Sequence, residues 1–251
     1  MQHPVLPTGY ELASFEEIDS TNEEARRRAQ AGERGPLWIW AKKQVAGRGR
    51  RGRTWESPSG NLFCTLLIAP GAPAADAARL SFVAALAVYE TVTAFVAPAK
   101  VRVKWPNDVL IDGQKVAGIL LESSGESGAQ LLPWLAVGIG INLQHQPEQP
   151  AYPATRIAAH GFAPRPAEAL SWLAEAFDRH FQTWRTKGFA PIRSAWLEHA
   201  AGLGQAVTAR LPSETINGVF QGLDADGALL LALPDGSTRA ITAGEVFFAA
   251  P

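Results

Sequence analysis

The amino-acid sequence predicts an α+β protein with two domains, a larger one of helices and strands over residues 1–203 and a small β-barrel over residues 204–251. The larger domain is predicted because apolar residues recur at helical spacing in residues 77–95 and 168–184, while segments rich in β-branched and aromatic residues lie around them. The barrel is predicted because short apolar runs alternate with turn sequences after residue 203.

Three segments of the larger domain are predicted helices. Residues 20–23, with the sequence STNE, have the spacing of a capping box, in which the serine hydroxyl binds an amide of the first turn. They begin a helix expected over residues 20–30. Residues 77–95 form a second helix. Residues 168–184 form a third, whose apolar side chains share one face and should belong to the core, and Gly188 ends it.

The predicted strands lie between and after these helices. Residues 44–60 are rich in Gly, Arg, Ser and Pro and predict a loop, and the Asp112-Gly113 pair is typical of a tight hairpin turn. The expected strands of the larger domain are residues 37–42, 61–68, 101–104, 109–111, 116–122 and 134–143, and those of the barrel are residues 207–211, 218–223, 229–233 and 237–241.

Composition narrows the class of protein. Hydrophobic residues make up 47% of the 251 residues and charged residues 19%, which is typical of a globular chain. A formal net charge of -1 argues against a general nucleic-acid binder, which needs surplus cations for phosphates. The lone Cys64 allows no internal disulfide, and neither a signal peptide nor a membrane-spanning run is evident. We therefore expect a cytoplasmic protein without a membrane or nucleic-acid partner.

The first motif with chemical meaning is the loop GRGRRGR, residues 47–53, followed by Trp55. Glycine lets the backbone approach a bound anion closely, and arginine supplies dense guanidinium donors. Such a loop can close over a polyphosphate or a mixed anhydride. The residues alone leave open a solvated basic loop or a nucleic-acid-binding tail on which Trp55 stacks bases.

The second motif is KWPND, residues 104–108, with KVAG, residues 115–118, on the next strand. A hairpin holds its side chains rigidly, which suits a cation that must neutralise a carboxylate and a phosphate together. Gly118 would leave room for a ligand beside the backbone. The alternative is that Lys104 and Lys115 are exposed hairpin lysines and that Trp105 is core.

The third motif is GIGIN, residues 138–142, inside a predicted strand. Two glycines weaken a strand and usually mark the close approach of a ligand or of another backbone. A dinucleotide-binding fingerprint is excluded because the third glycine is missing and no helix pattern follows.

Five motifs occur in register, and together they resemble the biotin protein ligases. They are STN at residues 20–22, Gln44 with GRGRRGR and Trp55, SPSGNL at residues 57–62, KWPNDVLIDGQKVAGILLE at residues 104–122, and GIGIN at residues 138–142. The resemblance covers about residues 14–145, and the C-terminal segment ending in Gly244-Glu245-Val246 is less closely similar to the family's small SH3-like domain.

The resemblance implies a class II aminoacyl-tRNA synthetase-like catalytic domain with a mixed sheet, followed by an SH3-like barrel. It implies a ligase that forms biotinyl-5'-AMP from biotin and ATP, with Mg²⁺, and transfers biotin to a lysine of the biotin carboxyl carrier domain of a carboxylase. Some members carry an N-terminal helix-turn-helix that represses genes. Because the STN motif begins at residue 20, we expect a ligase without that domain. The resemblance leaves open whether the chain is a monomer or a homodimer.

The resemblance also implies roles for individual residues. Lys115 would bridge the biotin carboxylate and the α-phosphate of ATP, and Arg50 would order over the activated intermediate; both are expected to be catalytic. Asp108 is the candidate ligand of Mg²⁺. The expected biotin-binding residues are Ser20, Thr21, Asn22, Gln44, Gly47, Arg48, Gly49, Arg50, Lys115, Gly118, Gly138 and Gly140. The expected ATP-binding residues are Arg48, Arg50, Arg53, Trp55, Asn107, Lys115 and Asn142, with Trp55 stacked on adenine.

Two other functions remain possible from the sequence. A lipoate ligase or octanoyltransferase is similar in fold and also acts on a carrier lysine, but the arginine loop and the KWPND and KVAG pair favour biotin. The other possibility is the nucleic-acid module that uses the arginine loop. Cys64 lies in an apolar strand without a histidine nearby in the sequence, so it is expected to be a core thiol and not a nucleophile.

Overall fold

A computed structural model describes residues 3–124, 130–148 and 152–248. Seven strands form one mixed sheet in the order β1-β2-β3-β7-β6-β5-β4, in which only the β1–β2 pair is parallel. The strands are β1 (Glu11–Ile18), β2 (Leu37–Gln44), β3 (Leu62–Ile68), β4 (Val101–Lys104), β5 (Asp108–Ile111), β6 (Gln114–Ser123) and β7 (Leu135–Ile141).

The helices cover both faces of this sheet. Alternate residues of β2 enter different cores: Trp38 packs with α3 and α4, whereas Ile39 packs with α1. A strand buried on both faces reads as a continuous apolar run, which is why its sequence, LWIWAKKQ, begins with five buried residues. The helices are α1 (Thr21–Gln30), α2 (Ala74–Ala77), α3 (Leu80–Thr93), α4 (Pro166–Lys187) and α5 (Phe189–Glu198).

Helix α4 shows how local sequence sets the ends of an element. Pro166 occupies the first turn, where its missing N–H is not needed, and Gly188 follows the last turn with a φ of 74°. Trp38 meets Phe177 edge to face, with 6.0 Å between ring centroids. This contact fixes α4 against the sheet, as the amphipathic pattern predicts.

A second sheet is formed by the C-terminal residues. Its five strands are antiparallel in the order β11-β10-β9-β8-β12, as a small barrel requires. They are β8 (Ala206–Arg210), β9 (Thr215–Leu223), β10 (Leu229–Ala232), β11 (Thr238–Ile241) and β12 (Glu245–Phe248). The indole N–H of Trp105 donates to the carbonyl of Gly227 at 3.1 Å, which ties this sheet to the β4–β5 turn. The division of the chain near residue 203 stays a prediction.

The structure confirms the expected α+β class and differs from the sequence-based elements in a few places. Strands β1 and β12 and helix α5 were not predicted. Strand β1 lacks the apolar pattern of a buried strand because it lies at the sheet edge and is charged and half-exposed. Its Glu16 and Glu17 pair with lysines of β2. The helix expected over residues 77–95 is observed as α3, Leu80–Thr93, and the short helix α2 that precedes it was not predicted. No helix in the described part of the chain is long and apolar enough to cross a membrane.

Candidate functional site

One cavity of about 390 Å³ opens between the seven-stranded sheet, the arginine loop (residues 47–53) and strand β12. It collects all but one of the predicted site residues, although they are spread over 123 positions of the chain. The predicted residues that line it are Ser20, Thr21, Asn22, Gln44, Arg48, Gly49, Arg50, Arg53, Trp55, Asn107, Asp108, Lys115, Gly118, Gly138, Gly140 and Asn142.

Gly47 is the predicted site residue outside this lining. A Cβ atom there would lie 2.4 Å from the carbonyl oxygen of Trp55, so the position has no room for a side chain. Its own carbonyl accepts a hydrogen bond from Trp55 N at 2.9 Å. Gly47 therefore closes the base of the arginine loop.

A network of neutral polar side chains forms one end of the cavity. The backbone N and the hydroxyl of Thr21 donate to Gln44 Oε1 at 2.8 and 3.1 Å, and Gln44 Nε2 donates to Ser57 Oγ at 2.9 Å. Each partner fixes the orientation of the next. This end offers hydrogen bonds without net charge.

The expected capping box does not form, although helix α1 does. Ser20 is the N-cap residue with extended backbone, but its hydroxyl makes no cap hydrogen bond. Glu23, which would complete the box, instead pairs with Arg26 and lies 3.2 Å from Arg48. The Ser20 hydroxyl, in a side chain that is almost fully buried against the cavity, is thereby left for a ligand.

Asn22 is a fixed part of the cavity wall. Its Nδ2 donates to Glu122 Oε2 at 2.7 Å, and its Oδ1 accepts from the Thr65 hydroxyl at 2.6 Å. A Cβ atom at Gly138 would lie 2.1 Å from that Oδ1. Gly138 is thus required because a polar side chain of the same wall occupies its space.

Trp55 crosses the sheet above the other two predicted glycines. A Cβ atom at Gly140 would lie 2.6 Å from Trp55 Cε2, and one at Gly118 would lie 3.1 Å from Trp55 Cζ3. The indole Nε1 is buried and has no hydrogen-bond partner in the described chain. The two glycines therefore leave room for a flat ring against the backbone.

Lys115 and Asp108 form an ion pair in the middle of the cavity, with 2.5 Å between Nζ and Oδ1. A β-bulge between β5 and β6 turns Lys115 into position, because the pairing shifts by one residue after Val109. The backbone of Lys115 is also bound on its other side, since its N donates to Pro153 O at 2.8 Å. The backbone of Lys115 is therefore held from both sides, and its ammonium group reaches Asp108.

The arginine loop folds into a tight turn. Residues Arg50–Gly52 form a 3₁₀ turn, and Gly49 N donates to Arg53 O at 2.7 Å. Arg48 contacts Glu122 Oε2 at 3.1 Å, whereas Arg50 turns inward and donates to Asn107 Oδ1 at 3.2 Å. Burial lowers the pKa of Arg50, and the neighbouring charge of Arg51 adds to the effect. Arg50 is therefore a desolvated cation that faces the cavity without a carboxylate partner among the described residues.

The C-terminal sheet supplies a carboxylate to the same loop. Glu245 of β12 lies 2.8 Å from Arg53 and 3.6 Å from Arg51, and it accepts a short hydrogen bond from Tyr152. Burial alone would raise the pKa of Glu245, but the hydrogen bonds from Tyr152 and Arg53 and the two arginine charges lower it overall. Sequence reasoning missed Glu245 and Tyr152 as site residues; only the weaker C-terminal resemblance around Glu245 pointed there.

Lys104 and the two predicted asparagines also have defined surroundings. Lys104 is not an exposed hairpin lysine but lines the cavity, and Trp105 is core. Asn107 Nδ2 donates to Ile119 O at 2.6 Å, and Asn142 Nδ2 donates to Thr155 O at 3.0 Å. Each amide thus uses one of its two N–H donors on the backbone, and Asn107 Oδ1 also accepts from Arg50.

The remaining reactive side chains are the Cys64 thiol and the side chains that could bind a metal ion. Cys64 is fully buried in β3, where burial raises the pKa of its thiol. A neutral thiol is a poor nucleophile, so its surroundings are those of a core residue. In the described ranges, no three His, Cys, Asp or Glu residues are grouped to hold a metal ion by themselves.

Comparison with known proteins shows which family has this architecture. Residues 14–142 match the Biotin/lipoate A/B protein ligase family, and residues 202–249 match the Biotin protein ligase C terminal domain. The biotin--[acetyl-CoA-carboxylase] ligase of Paracoccus denitrificans is 48% identical, over 92% of this chain and 97% of that protein.

Two solved structures are similar over nearly their whole length. The biotin protein ligase of Aquifex aeolicus, in complex with biotin and ATP, aligns with a TM-score of 0.80 and 29% identity, covering 94% of this chain and 97% of that one. The Leishmania major biotin protein ligase in complex with biotinyl-5-AMP aligns with a TM-score of 0.62 and 25% identity, covering 94% and 100%. The chain belongs to the Biotin/lipoate A/B protein ligase family and ends in a biotin protein ligase C-terminal domain.

Proposed function

We propose that this protein is an ATP-dependent biotin–protein ligase, which makes biotinyl-5'-AMP and transfers the biotinyl group to a lysine of a biotin carboxyl carrier domain. The observation that carries the proposal is a single cavity with a neutral hydrogen-bonding end at Gln44, a cationic end at Arg50, and Lys115 between them. The activity and the bound ligands of the relatives described above agree with this chemistry.

The neutral end suits the ureido ring of biotin. A ureido group carries no charge and needs both donors and acceptors in a mostly apolar pocket. Ser20, Thr21 and Gln44 supply them, supported by the backbone at Gly47 and Arg48. Asn22 and Gly49 complete the wall beside the ring, and Gly118, Gly138 and Gly140 let the bicyclic ring and its valeryl tail lie against the strands.

The cationic end suits the nucleotide. Arg48, Arg50 and Arg53 would contact phosphates or the acyl-adenylate, since guanidinium groups bind phosphate oxygens in pairs. Trp55 would leave its resting place over Gly140 and stack on adenine, with Asn107 and Asn142 at the edge of the base. Arg50 is the residue that would cover the reactive intermediate.

The first step joins two anions that repel each other. A biotin carboxylate oxygen attacks the α-phosphorus of ATP, the bond from that phosphorus to the bridging oxygen breaks, and pyrophosphate leaves with the electron pair. Lys115 contacts both the carboxylate and the α-phosphate, so its charge offsets their repulsion and stabilises the pentavalent transition state. In the second step the carrier lysine amine attacks the acyl carbon, AMP leaves, and the amine loses a proton.

Mg²⁺ in nucleotide sites is bound mainly by phosphates and water, with one or two carboxylates. Asp108 fits that requirement, because its carboxylate lies in the cavity beside Lys115 and no larger set of acidic ligands is needed. Asp108 would hold the ion that arrives with ATP, and the ion would neutralise phosphate charge. We propose no further magnesium ligand. We also propose that the protein carries out this function in the cytoplasm.

A direct assay tests the proposal. The protein is incubated with MgATP, a biotin carboxyl carrier domain and either biotin or lipoate, and the mass of the carrier is measured. We expect one biotinyl group on the carrier lysine and none with lipoate. The same family includes lipoate ligases, so lipoyl transfer without biotinyl transfer would replace this proposal with the alternative. Salt-sensitive retention on DNA or RNA without biotin-dependent ATP use would support the nucleic-acid module.

A further inference from the structure

Lys104, the last residue of β4, carries a largely buried ammonium group in an aromatic cage. Its Nζ lies 5.3 Å from the ring centroid of Tyr152, 5.7 Å from that of Phe247 and 5.5 Å from that of Phe248. Two of these rings come from β12 of the C-terminal sheet. Rings at this distance attract a cation through their faces, but they carry no negative charge to neutralise it.

Lys104 has no carboxylate within ion-pair distance in the part of the chain that the structure describes. The acidic residue opposite it in the sheet, Asp108, is bound by Lys115. Glu245, on β12, is bound by Arg53. Burial accordingly lowers the pKa of Lys104, with the charge of Lys115 acting in the same direction and those of Asp108 and Glu245 opposing it. The fold therefore keeps a cation desolvated at a cost that the aromatic rings and the more distant charges of Asp108 and Glu245 offset only in part.

The order of the strands indicates which ligand group would neutralise the Lys104 ammonium group. From β2 to β4 the cavity floor presents Gln44, then the glycines of β7, then Lys115 on β6 and finally Lys104 at the far edge. Neighbouring strands lie about 4.8 Å apart, and β4 is two strands beyond β6. The β6 residue level with Lys104 is Gly118, and a Cβ atom there would lie 3.2 Å from Lys115 Nζ, so the two ammonium groups follow the same order as their strands. Biotin and ATP joined end to end have the same order: ureido ring, carboxylate, α-phosphate, then the β- and γ-phosphates.

We propose that Lys104 is a further catalytic residue that binds the β- and γ-phosphates of ATP and donates a hydrogen bond to pyrophosphate as it leaves. The inference rests on the proposed function and deepens it. Lys115 contacts the carboxylate and the α-phosphate, which become bonded, and Lys104 contacts the β- and γ-phosphates, which leave as pyrophosphate. When the α-phosphorus–oxygen bond breaks, the electron pair stays on the pyrophosphate oxygen, and the Lys104 ammonium neutralises that growing charge without giving up its proton.

The test distinguishes a defect in the use of pyrophosphate from a defect in the binding of biotin or of biotinyl-5'-AMP. Lys104→Met keeps the length of the side chain and removes its charge, and Lys104→Arg keeps the charge. Lys100→Met is the matched control, because Lys100 precedes the same strand, is exposed and pairs with Asp112 outside the cavity. Four quantities are measured: biotin affinity, ATP-dependent pyrophosphate release, transfer from chemically made biotinyl-5'-AMP to the carrier, and the reverse reaction of biotinyl-5'-AMP with pyrophosphate.

For Lys104→Met we expect kcat/KM for ATP and for pyrophosphate to fall by about 10- to 100-fold, the loss of one charged hydrogen bond. Biotin affinity and transfer from biotinyl-5'-AMP should stay at the parent value, and Lys104→Arg should recover part of the loss. Parent-like use of ATP and pyrophosphate would overturn the inference, and so would an equal loss of transfer from biotinyl-5'-AMP, which indicates a structural role. Failure of the proposed function is seen separately, because the parent protein would then label no carrier.

Discussion

Lys115 on β6 and Asp108 on β5 face each other across a β-bulge, with 2.5 Å between Nζ and Oδ1. The pair places the central cation of the cavity where it is neutralised before ligands bind. In the reaction that we propose, biotin and ATP bring their own negative charges, so the lysine would exchange one carboxylate for a carboxylate and a phosphate. The cation that we propose to be catalytic is therefore already paired with a carboxylate in the ligand-free protein.

Lys115→Met should lose at least about 100-fold in biotin-dependent pyrophosphate release, because Lys115 is the cation that we propose to contact both reacting anions. The side-chain stem is retained, so the unfolding midpoint should change little. Release of labelled pyrophosphate and thermal unfolding measure the two effects, with Lys100→Met as control. Pyrophosphate release close to that of the parent would contradict the role of Lys115.

Arg50→Gly should let biotinyl-5'-AMP escape, so that bystander proteins become biotinylated. Arg50 turns into the cavity, whereas its neighbour Arg51 points to Glu245 and does not line the cavity. Arg51→Gly is therefore the control: it also adds a glycine to the turn but keeps the inward guanidinium. The dissociation rate of biotinyl-5'-AMP is the measurement. Equal rates for both variants would mean that loop flexibility, and not Arg50, retains the intermediate.

Gly138→Ala should destabilise the fold by about 1–3 kcal/mol, the usual cost of forcing an extra group into a packed site. The added methyl would meet Asn22 Oδ1, which is itself held by Thr65. A double-mutant cycle with Asn22→Ala, followed by urea unfolding, tests the cause. The penalty should largely disappear in the Asn22→Ala background; a penalty of the same size there would show that Asn22 is not the obstacle.

Cys64→Ala should keep carrier biotinylation near the parent rate and lose only stability, because burial raises the pKa of the thiol and no step needs a cysteine. The native protein should also resist alkylating reagents until it unfolds. Rate measurements and mass spectrometry after reagent treatment check both statements. A large loss of the biotinylation rate in a fully folded Cys64→Ala variant would show that the thiol takes part.

Lys104→Met should make the ligand-free protein more stable at neutral pH, although it impairs ATP use. A lysine whose folded pKa is lowered opposes folding fully while both states are protonated. The difference from the parent should therefore shrink as the pH rises towards and past 10.5, where the unfolded state also loses its proton. Asp108, Lys115, Glu245 and Tyr152 face the same group, so Lys100→Met is compared at each pH. A variant less stable than the parent at pH 7 would contradict this expectation.

Several features follow directly from the sequence. The helical spacing in α4 and the Asp112-Gly113 turn depend on neighbours three or four residues apart, so the α+β class and most strands are predictable. The motifs also select Lys115, Arg50 and Gln44 as candidate site residues, and all three line the cavity, because an arginine and glycine loop followed by a lysine hairpin is unusual enough to carry a family resemblance. Strand β1 and helix α5 are missed because a charged edge strand and a short helix lack a clear period.

The tertiary structure alone decides which charges meet. Residue order gives no distance between Glu245 and Arg53, which are 192 positions apart, or between Lys104 and the aromatic rings of β12. The same holds for Ser20, whose sequence predicts a capping hydroxyl and whose position leaves that hydroxyl to the cavity. Local sequence determines the elements because hydrogen bonds and turns act over a few residues, whereas burial and Coulomb interactions depend on where the whole chain places each group.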